Sequence, residues 1–354
     1  MQGIYEIKLR TSKCGYIIKL RRNITVIQGN SGTGKTLFCN LLRQYLDEVK
    51  KTGQGRSVQV SIAPMVNCLV LTEDNWESCI EANIHNTIIV IDEDYAESVM
   101  KSSRFTKFVN RGDNYFVLIT RDLSALESFA ISVNEIYTLT DKNGYNIPKS
   151  KFIVNTNVPL WCNQVITLNS AAKNKEFKAE CVIKEDGKSG YKFFKKICQD
   201  DCDHADGKSN IAKKIKNMQR KDNLLIVVDG AAFGSNIECV MRELNIKTKP
   251  CALYMPESFE WLMLHSLSFA KFKNMLSNKL NVSTLTVEST KFLSWERYFT
   301  ALFKHCCKEL GYSYDKSRVP TFLCTRSNIV HILSFMKEQG VDMSKWKSNV
   351  NKLK

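Results

Sequence analysis

Along the first 150 positions, hydrophobic residues fall into short unbroken runs separated by stretches in which they recur at helical spacing. The runs GYIIKL (15–20) and NITVIQG (23–29) read as strands, with Arg21-Arg22-Asn23 as a hairpin turn between them. TLFCNLLRQYLDEV (36–49) places apolar residues on one helical face, and Gly53 to Gly55 end that element. Further strands are expected at SVQVSI (57–62), NCLVLT (67–72), TIIVIDED (87–94), YFVLITRD (115–122) and EIYTLT (135–140), with helices between them. Strands alternating with helices predict an α/β fold with a wound sheet, and the continuous runs IIVI and FVLI suit its doubly covered parallel centre.

The pattern breaks at DKNGYNIPKSK (141–151), where Gly, Pro, Asn and Lys cluster as in a linker. A second series follows: strand ECVIKED (180–186), helix GYKFFKKIC (190–198), strand NLLIVVDG (223–230), helix IECVMREL (237–244) and strand PCALYMP (250–256). Beyond it the chain reads as helical around 259–280, 294–310 and 326–339, with no internal repeat. The expected organisation is a first α/β domain over 1–150, a linker over 151–175, a smaller α/β domain over 176–265, and a helical, basic extension over 266–354. Two domains also suit the 354-residue length, because one domain usually holds roughly 100–200 residues.

One stretch adds chemistry to this pattern. Gly29-Asn30-Ser31-Gly32-Thr33-Gly34-Lys35-Thr36 lies between a predicted strand and a predicted helix and has the spacing of a phosphate-binding loop. Glycines let backbone amides turn inward on phosphate oxygens, Lys35 reaches the outer phosphates, and the Thr36 hydroxyl is a Mg²⁺ ligand. The helix opening at Lys35 adds its positive end. Asp92 and Glu93 close the strand IIVI: Asp92 is expected to hold the hydrated Mg²⁺, Glu93 to orient or deprotonate an attacking water, and Asp94 to cap the next helix. Thr120 and Arg121 end FVLIT at the same edge and are placed to sense the γ-phosphate. Arg104 and Arg111 are available as charge-stabilising fingers, against the ordinary reading of a surface arginine. Only 55 residues separate Thr36 from Asp92, with no LSGGQ-like segment, which predicts a compact ATP- or GTP-hydrolysing domain rather than a transporter-type dimer.

Composition narrows the partners. The chain carries a formal charge of +15, distributed as +2 over residues 1–150, +4 over 151–260 and +9 over 261–354. Such an excess draws phosphate backbones through counterion release, making nucleic acid a candidate partner beside the nucleotide. No apolar run approaches the roughly 20 residues of a membrane span, and the start MQGIYEIKLRTSKCG lacks a signal-peptide core, so a cytoplasmic chain with no membrane partner is expected. The 13 scattered cysteines are then expected as reduced thiols. Cys198, Cys202 and His204 match no standard zinc spacing.

In the second series, carboxylates again stand at strand ends: Glu185-Asp186-Gly187 after ECVIK, Asp229-Gly230 after LLIVV, and Glu260 in Met255-Pro256-Glu257-Ser258-Phe259-Glu260-Trp261. Carboxylates at successive strand ends are a means of making a divalent-metal site, so a second Mg²⁺ or Mn²⁺ is a candidate there. Four such elements in this order, with Gly207-Lys208-Ser209-Asn210 between them, resemble the topoisomerase-primase (Toprim) fold over roughly residues 175–265. The likeness is nearest to Toprim-like domains of bacterial anti-phage defence proteins, including the overcoming-lysogenisation-defect nucleases, which join or pair the domain with an ATPase. The whole chain also resembles ATP-binding proteins of Firmicutes and their mobile elements through GNSGTGKT (29–36), EDGKSG (185–190), DGAAFG (229–234) and SWERYFTAL (294–302). The resemblance implies that Glu185, Asp229 and Glu260 are metal ligands. It departs at Ala231, which stands where the second aspartate of Asp-x-Asp is expected; Asp186 or Glu238 is then a compensating ligand, or the domain binds without cutting.

Three functions remain open on the sequence: a nucleoside triphosphatase controlling a Toprim-like nucleic-acid effector in phage defence or mobile-element biology, a triphosphatase with a non-cleaving nucleic-acid or protein docking module, and a small-molecule kinase. Each admits a homo-oligomer or a partner protein. The aromatic stretch Trp295, Tyr298, Phe299 and Leu302 has helical spacing and is expected in a core.

Overall fold

The computed structural model describes residues 3–141, 153–161, 163–168, 176–218, 223–247, 249–267 and 294–353. These form two compact α/β units, one from the residues up to Trp161 and one from the residues beyond it, apart from Ser294. The end of the expected first domain (142–150), part of the expected linker (151–152, 162, 169–175) and the continuation of the helical reading over 268–280 lie outside the described residues.

The first unit is built on a nine-stranded mixed sheet. Its strands are β1 (Tyr5–Arg10), β2 (Cys14–Leu20), β3 (Ile24–Gln28), β4 (Gln59–Ala63), β5 (Asn67–Leu71), β6 (Thr87–Asp92), β7 (Tyr115–Thr120), β8 (Ile136–Asp141) and β9 (Ile153–Pro159), in the order β4-β1-β2-β9-β8-β3-β7-β6-β5. The block β8-β3-β7-β6-β5 is parallel throughout, while β4, β1 and β2 form an antiparallel wing. Every residue of β3, β6 and β7 is buried, as strands covered on both faces require. The helix Lys35–Thr52 lays Phe38, Cys39 and Leu42 into a core with Ile7, Tyr16, Ile18, Val90 and Ile119. It stops at Gly53, whose left-handed backbone (φ 75°) lets its N–H return to the Val49 carbonyl at 2.8 Å.

The second unit holds a five-stranded sheet of β10 (Val165–Leu168), β12 (Cys181–Lys184), β13 (Cys202–His204), β14 (Leu224–Val227) and β15 (Cys251–Tyr254), ordered β10-β15-β14-β12-β13 and parallel except at β10. A short parallel pair joins β11 (Phe177–Lys178) to β16 (Val341–Asp342). The expected extension therefore belongs to this unit's own core. Its helices Trp295–Glu309 and Arg326–Glu338 both pack on the helix Phe259–Ser266, with Trp295, Phe299 and Leu302 buried. The expected linker is likewise partly sheet, because β9 completes the first sheet and β10 edges the second. No described helix is long and apolar enough to cross a membrane, and every described cysteine is a free thiol.

Candidate functional site

The parallel register of the first sheet brings the expected residues to one edge. Gln28, the last residue of β3, pairs with Thr120 at the end of β7, and Asp92 at the end of β6 pairs with Ile119. The loop Gly29–Gly34 leaves β3 at this level and turns directly into the helix that opens at Lys35. Gly32 and Gly34 take left-handed conformations (φ 87° and 85°) that cost other residues energy. Gly34 has a second reason to be glycine: a Cβ there would lie 3.0 Å from the Tyr16 hydroxyl, which itself donates to the Gly34 carbonyl at 3.1 Å. Tyr16 thus braces the loop from β2, a role its position in an ordinary apolar run does not disclose.

Lys35 is buried over the loop, its Nζ donating to the carbonyls of Gly29 and Asn30 (2.9 Å to the latter) and to Thr33 Oγ1 at 3.2 Å. Desolvation, and then the nearby Arg121 guanidinium, pull its pKa below the ordinary lysine value. Over the loop opens a cavity of about 290 Å³, lined by Ser31, Gly32, Thr33, Gly34, Lys35, Thr36, Leu37 and Arg121.

The carboxylates beside the cavity divide their work differently from the sequence expectation. Asp92, not Asp94, caps the helix Glu93–Lys101, its Oδ1 accepting the Asp94 N–H at 3.2 Å. Its Oδ2 is buried without a hydrogen-bond partner, and burial pushes its pKa up. Asp94 instead accepts the Thr36 hydroxyl at 3.0 Å and a fork from Arg121 Nη2 at 3.0 and 3.2 Å. Glu93 Oε2 accepts from Thr120 Oγ1 at 2.7 Å and from the Arg121 backbone N–H at 2.6 Å, and Arg121 Nε lies 3.1 Å from its Oε1. Thr120 and Arg121 therefore position Glu93, and Arg121 also borders the cavity. This follows from β7 lying between β3 and β6 in the sheet, an ordering that sequence periodicity leaves open.

The orphaned Asp92 oxygen and the Thr36 hydroxyl form an oxygen donor set that fits Mg²⁺, which prefers hard oxygen ligands and keeps several waters. Of the two other arginines, Arg104 pairs with Glu77 (3.3 Å) and Glu81 (3.1 Å). Arg111 pairs with Asp113 at 3.2 Å, just before β7 begins. That is the opposite end of a six-residue strand, about 20 Å from the loop at ~3.3 Å per residue, so Arg111 does not serve this cavity. No protein-family model matches this chain, and no curated protein or solved structure does either.

In the second unit, Lys184, Val227 and Tyr254 share one register level at the ends of β12, β14 and β15, so Glu185, Asp229 and Glu260 are delivered to one edge. There the edge already contains cations. Lys184, fully buried, sets its Nζ 3.0 Å from Asp229 Oδ1. Burial alone lowers the Lys184 pKa, but the Asp229 and Glu185 carboxylates outweigh it and hold the value raised. Glu185 accepts the Asp229 N–H at 3.0 Å, and burial followed by repulsion from Asp229 raises its pKa to about 7. Glu260 Oε1 accepts the Tyr314 hydroxyl at 2.7 Å while its Oε2 is buried without a partner, and burial raises its pKa against the lowering effect of Lys316.

Ala231 is buried, with its N–H bound to the Glu257 carbonyl at 3.1 Å, and supplies no ligand. The proposed substitutes fall short: Asp186 is paired with Lys188 at 3.0 Å, and Glu238 lies on the helix Ile237–Ile246 rather than at a strand end. Among the described residues, no group of three or more His, Cys, Asp or Glu side chains is arranged to hold a metal ion. Cys198 and Cys202 are buried in the core, and His204 pairs with Asp206 at 2.9 Å and meets the Tyr191 ring edge-on. Lys184, Tyr314 and Lys316 belong to no motif, and their spacing carries no signal.

Proposed function

We propose that the first unit binds a Mg²⁺–nucleoside triphosphate, ATP or GTP, and hydrolyses it. The observation that carries the reading is the cavity of about 290 Å³ lined by Ser31 to Leu37 and Arg121, at the sheet edge where Asp92 and Glu93 emerge. The amides of residues 29–34 and the helix start receive the phosphates, and Lys35 turns from the loop carbonyls to the outer phosphate oxygens. Thr36 and Asp92 would hold the Mg²⁺, whose charge would offset that of the outer phosphates. Glu93 orients water for attack on the γ-phosphorus; the new P–O bond forms as the bond to the bridging oxygen breaks, and the water proton is released through the carboxylate. Arg121, already bridging Glu93 and Asp94, is within the cavity wall to sense the γ-phosphate. A carboxylate held immediately beside the Mg²⁺ ligand favours water over a small-molecule acceptor, which sets hydrolysis above kinase chemistry. Phosphate release should be Mg²⁺-dependent in the wild type and lost in Lys35→Ala. Undiminished release by Lys35→Ala would remove the proposal.

For the second unit the reading is a Toprim-like module, regulated by the first, that docks nucleic acid without two-metal cleavage. The Lys184–Asp229 ion pair supports it, since an ammonium sits where a metal-binding carboxylate would need to be free. The arrangement does not fit a two-metal centre. With Mg²⁺ or Mn²⁺, DNA and RNA should remain intact; cleavage present in the wild type and absent in Asp229→Ala would restore the nuclease reading.

A further inference from the structure

On the flank of the second unit, the helix Ser189–Cys198 and the segment 314–319 enclose an open cleft of about 500 Å³. Lys192, Lys196 and Arg318 line it together with Ser317, Val319 and Cys324, and none of these lining residues is a carboxylate. The segment is fastened to the helix at two points: the Ser189 N–H donates to the Lys316 carbonyl at 2.8 Å, and Lys192 Nζ donates to the Ser317 carbonyl at 2.6 Å. Lys192 and Lys196 stand one helical turn apart on the same face, about 5–6 Å between their Cβ atoms, comparable to the step between neighbouring phosphates of a strand.

Asp315, two positions before Ser317, accepts from the Ser317 N–H at 2.7 Å and from its hydroxyl, and these bonds, then the Arg318 charge, hold its pKa below the ordinary carboxylate value. Burial pushes the Cys324 thiol pKa up, so it adds no negative charge beside Lys196. The same segment reaches the sheet edge, because the Tyr314 hydroxyl bridges Ser189 Oγ (2.9 Å) and Glu260 (2.7 Å).

We propose that this cleft is the docking track for a nucleic-acid phosphodiester backbone, held by Lys192, Lys196 and Arg318. The assignment deepens the docking reading of the second unit and rests on it. Three exposed cations spread over two elements, in an open trough with no carboxylate among its lining residues, suit a chain of phosphates better than one small anion. Backbone contacts of this kind carry no sequence information, so affinity is expected to be general and strongly salt-dependent.

The test is fluorescence anisotropy of the full chain with labelled single-stranded DNA, duplex DNA and RNA across a salt series. The combined Lys192→Gln, Lys196→Gln and Arg318→Gln variant should bind the preferred polymer at least about tenfold more weakly. For a single strand its log K against log salt slope should be shallower by about 2. Lys196→Gln alone, which leaves both fastening bonds of the segment in place, should lower the slope by about 0.7. A control that removes equal charge from the first unit, Lys13→Gln, Lys50→Gln and Lys51→Gln, should change affinity much less, and thermal melts should show all variants folded. Equal loss in the control and the cleft variants would overturn the track while leaving docking in place. Absence of binding by the wild type would overturn docking itself. Displacement of the oligonucleotide by inorganic phosphate at matched ionic strength would assign the cleft to a small anion instead.

Discussion

Single side chains account for much of the chemistry. Gly190 in the second unit is one case: a Cβ there would fall 2.6 Å from Lys184 Cε, and Lys184 is fully buried and tied to Asp229. Gly190→Ala must either displace the ammonium or shift the helix, and overpacking of this kind typically costs about 1–3 kcal/mol. Chemical denaturation should show a loss in that range with an unchanged m-value. Glu185 gives a pH signature. Its folded pKa of about 7 lies above the ordinary 4.5, so ionisation is disfavoured in the native state. The stability linked to this group is complete below about pH 4.5 and is lost as pH rises to about 7, an upper bound of roughly 3 kcal/mol. Glu185→Gln should gain on the wild type between about pH 5 and pH 8 in metal-free buffer. A constant difference over that range would show that Glu185 is not held in this way.

At the scale of elements, the placement of β7 between β3 and β6 decides the first site, because it sets Thr120 and Arg121 against Glu93. Arg121→Ala is expected to reduce triphosphate turnover by about tenfold or more while leaving diphosphate affinity within about twofold, since the loop and Lys35 still hold the inner phosphates. Equal losses of turnover and diphosphate affinity would make Arg121 a general binding residue.

Much of this was legible in the sequence. The loop, the acidic end of TIIVID and the fully apolar strands each depend on local spacing, which periodicity reports directly. Strand order was not, and neither was the helix cap falling to Asp92 while Asp94 turns to Thr36 and Arg121, since the two share a helix start and differ only in which way each carboxylate turns. The strands β1, β9 and β10 carry weaker local signals. YEIKLR and IVNTNVP alternate polar with apolar residues in partly exposed positions, and VITL lies in the range read as a linker. In the second unit, strand-end carboxylates were readable, but the buried Lys184 that neutralises Asp229 looks in sequence like any lysine at the end of a strand. Tyr314 and Lys316 reach Glu260 from residues more than 50 positions away, beyond any local pattern.

For the whole molecule, regulation means a coupling free energy between nucleotide and nucleic acid. Typical couplings of about 1–3 kcal/mol correspond to roughly 5–150-fold changes in affinity, and the effect must be reciprocal. A non-hydrolysable triphosphate with Mg²⁺ should therefore shift oligonucleotide affinity by at least about fivefold, and saturating oligonucleotide should shift triphosphate affinity by the same factor. Independence of the two affinities would separate the units functionally, leaving each site's own chemistry intact.

Hydrolysis at the loop of the first unit is the central claim, and the chemical state of the bound nucleotide tests it most directly. Wild type and Glu93→Gln are incubated with Mg²⁺ and radiolabelled ATP or GTP, and the nucleotide retained by the protein is resolved. Wild type should retain diphosphate, while Glu93→Gln should bind as well and retain intact triphosphate, with turnover lower by about 10²–10⁴ as expected for loss of a general base. Diphosphate on both proteins, or no retained nucleotide on either, would contradict hydrolysis by this site.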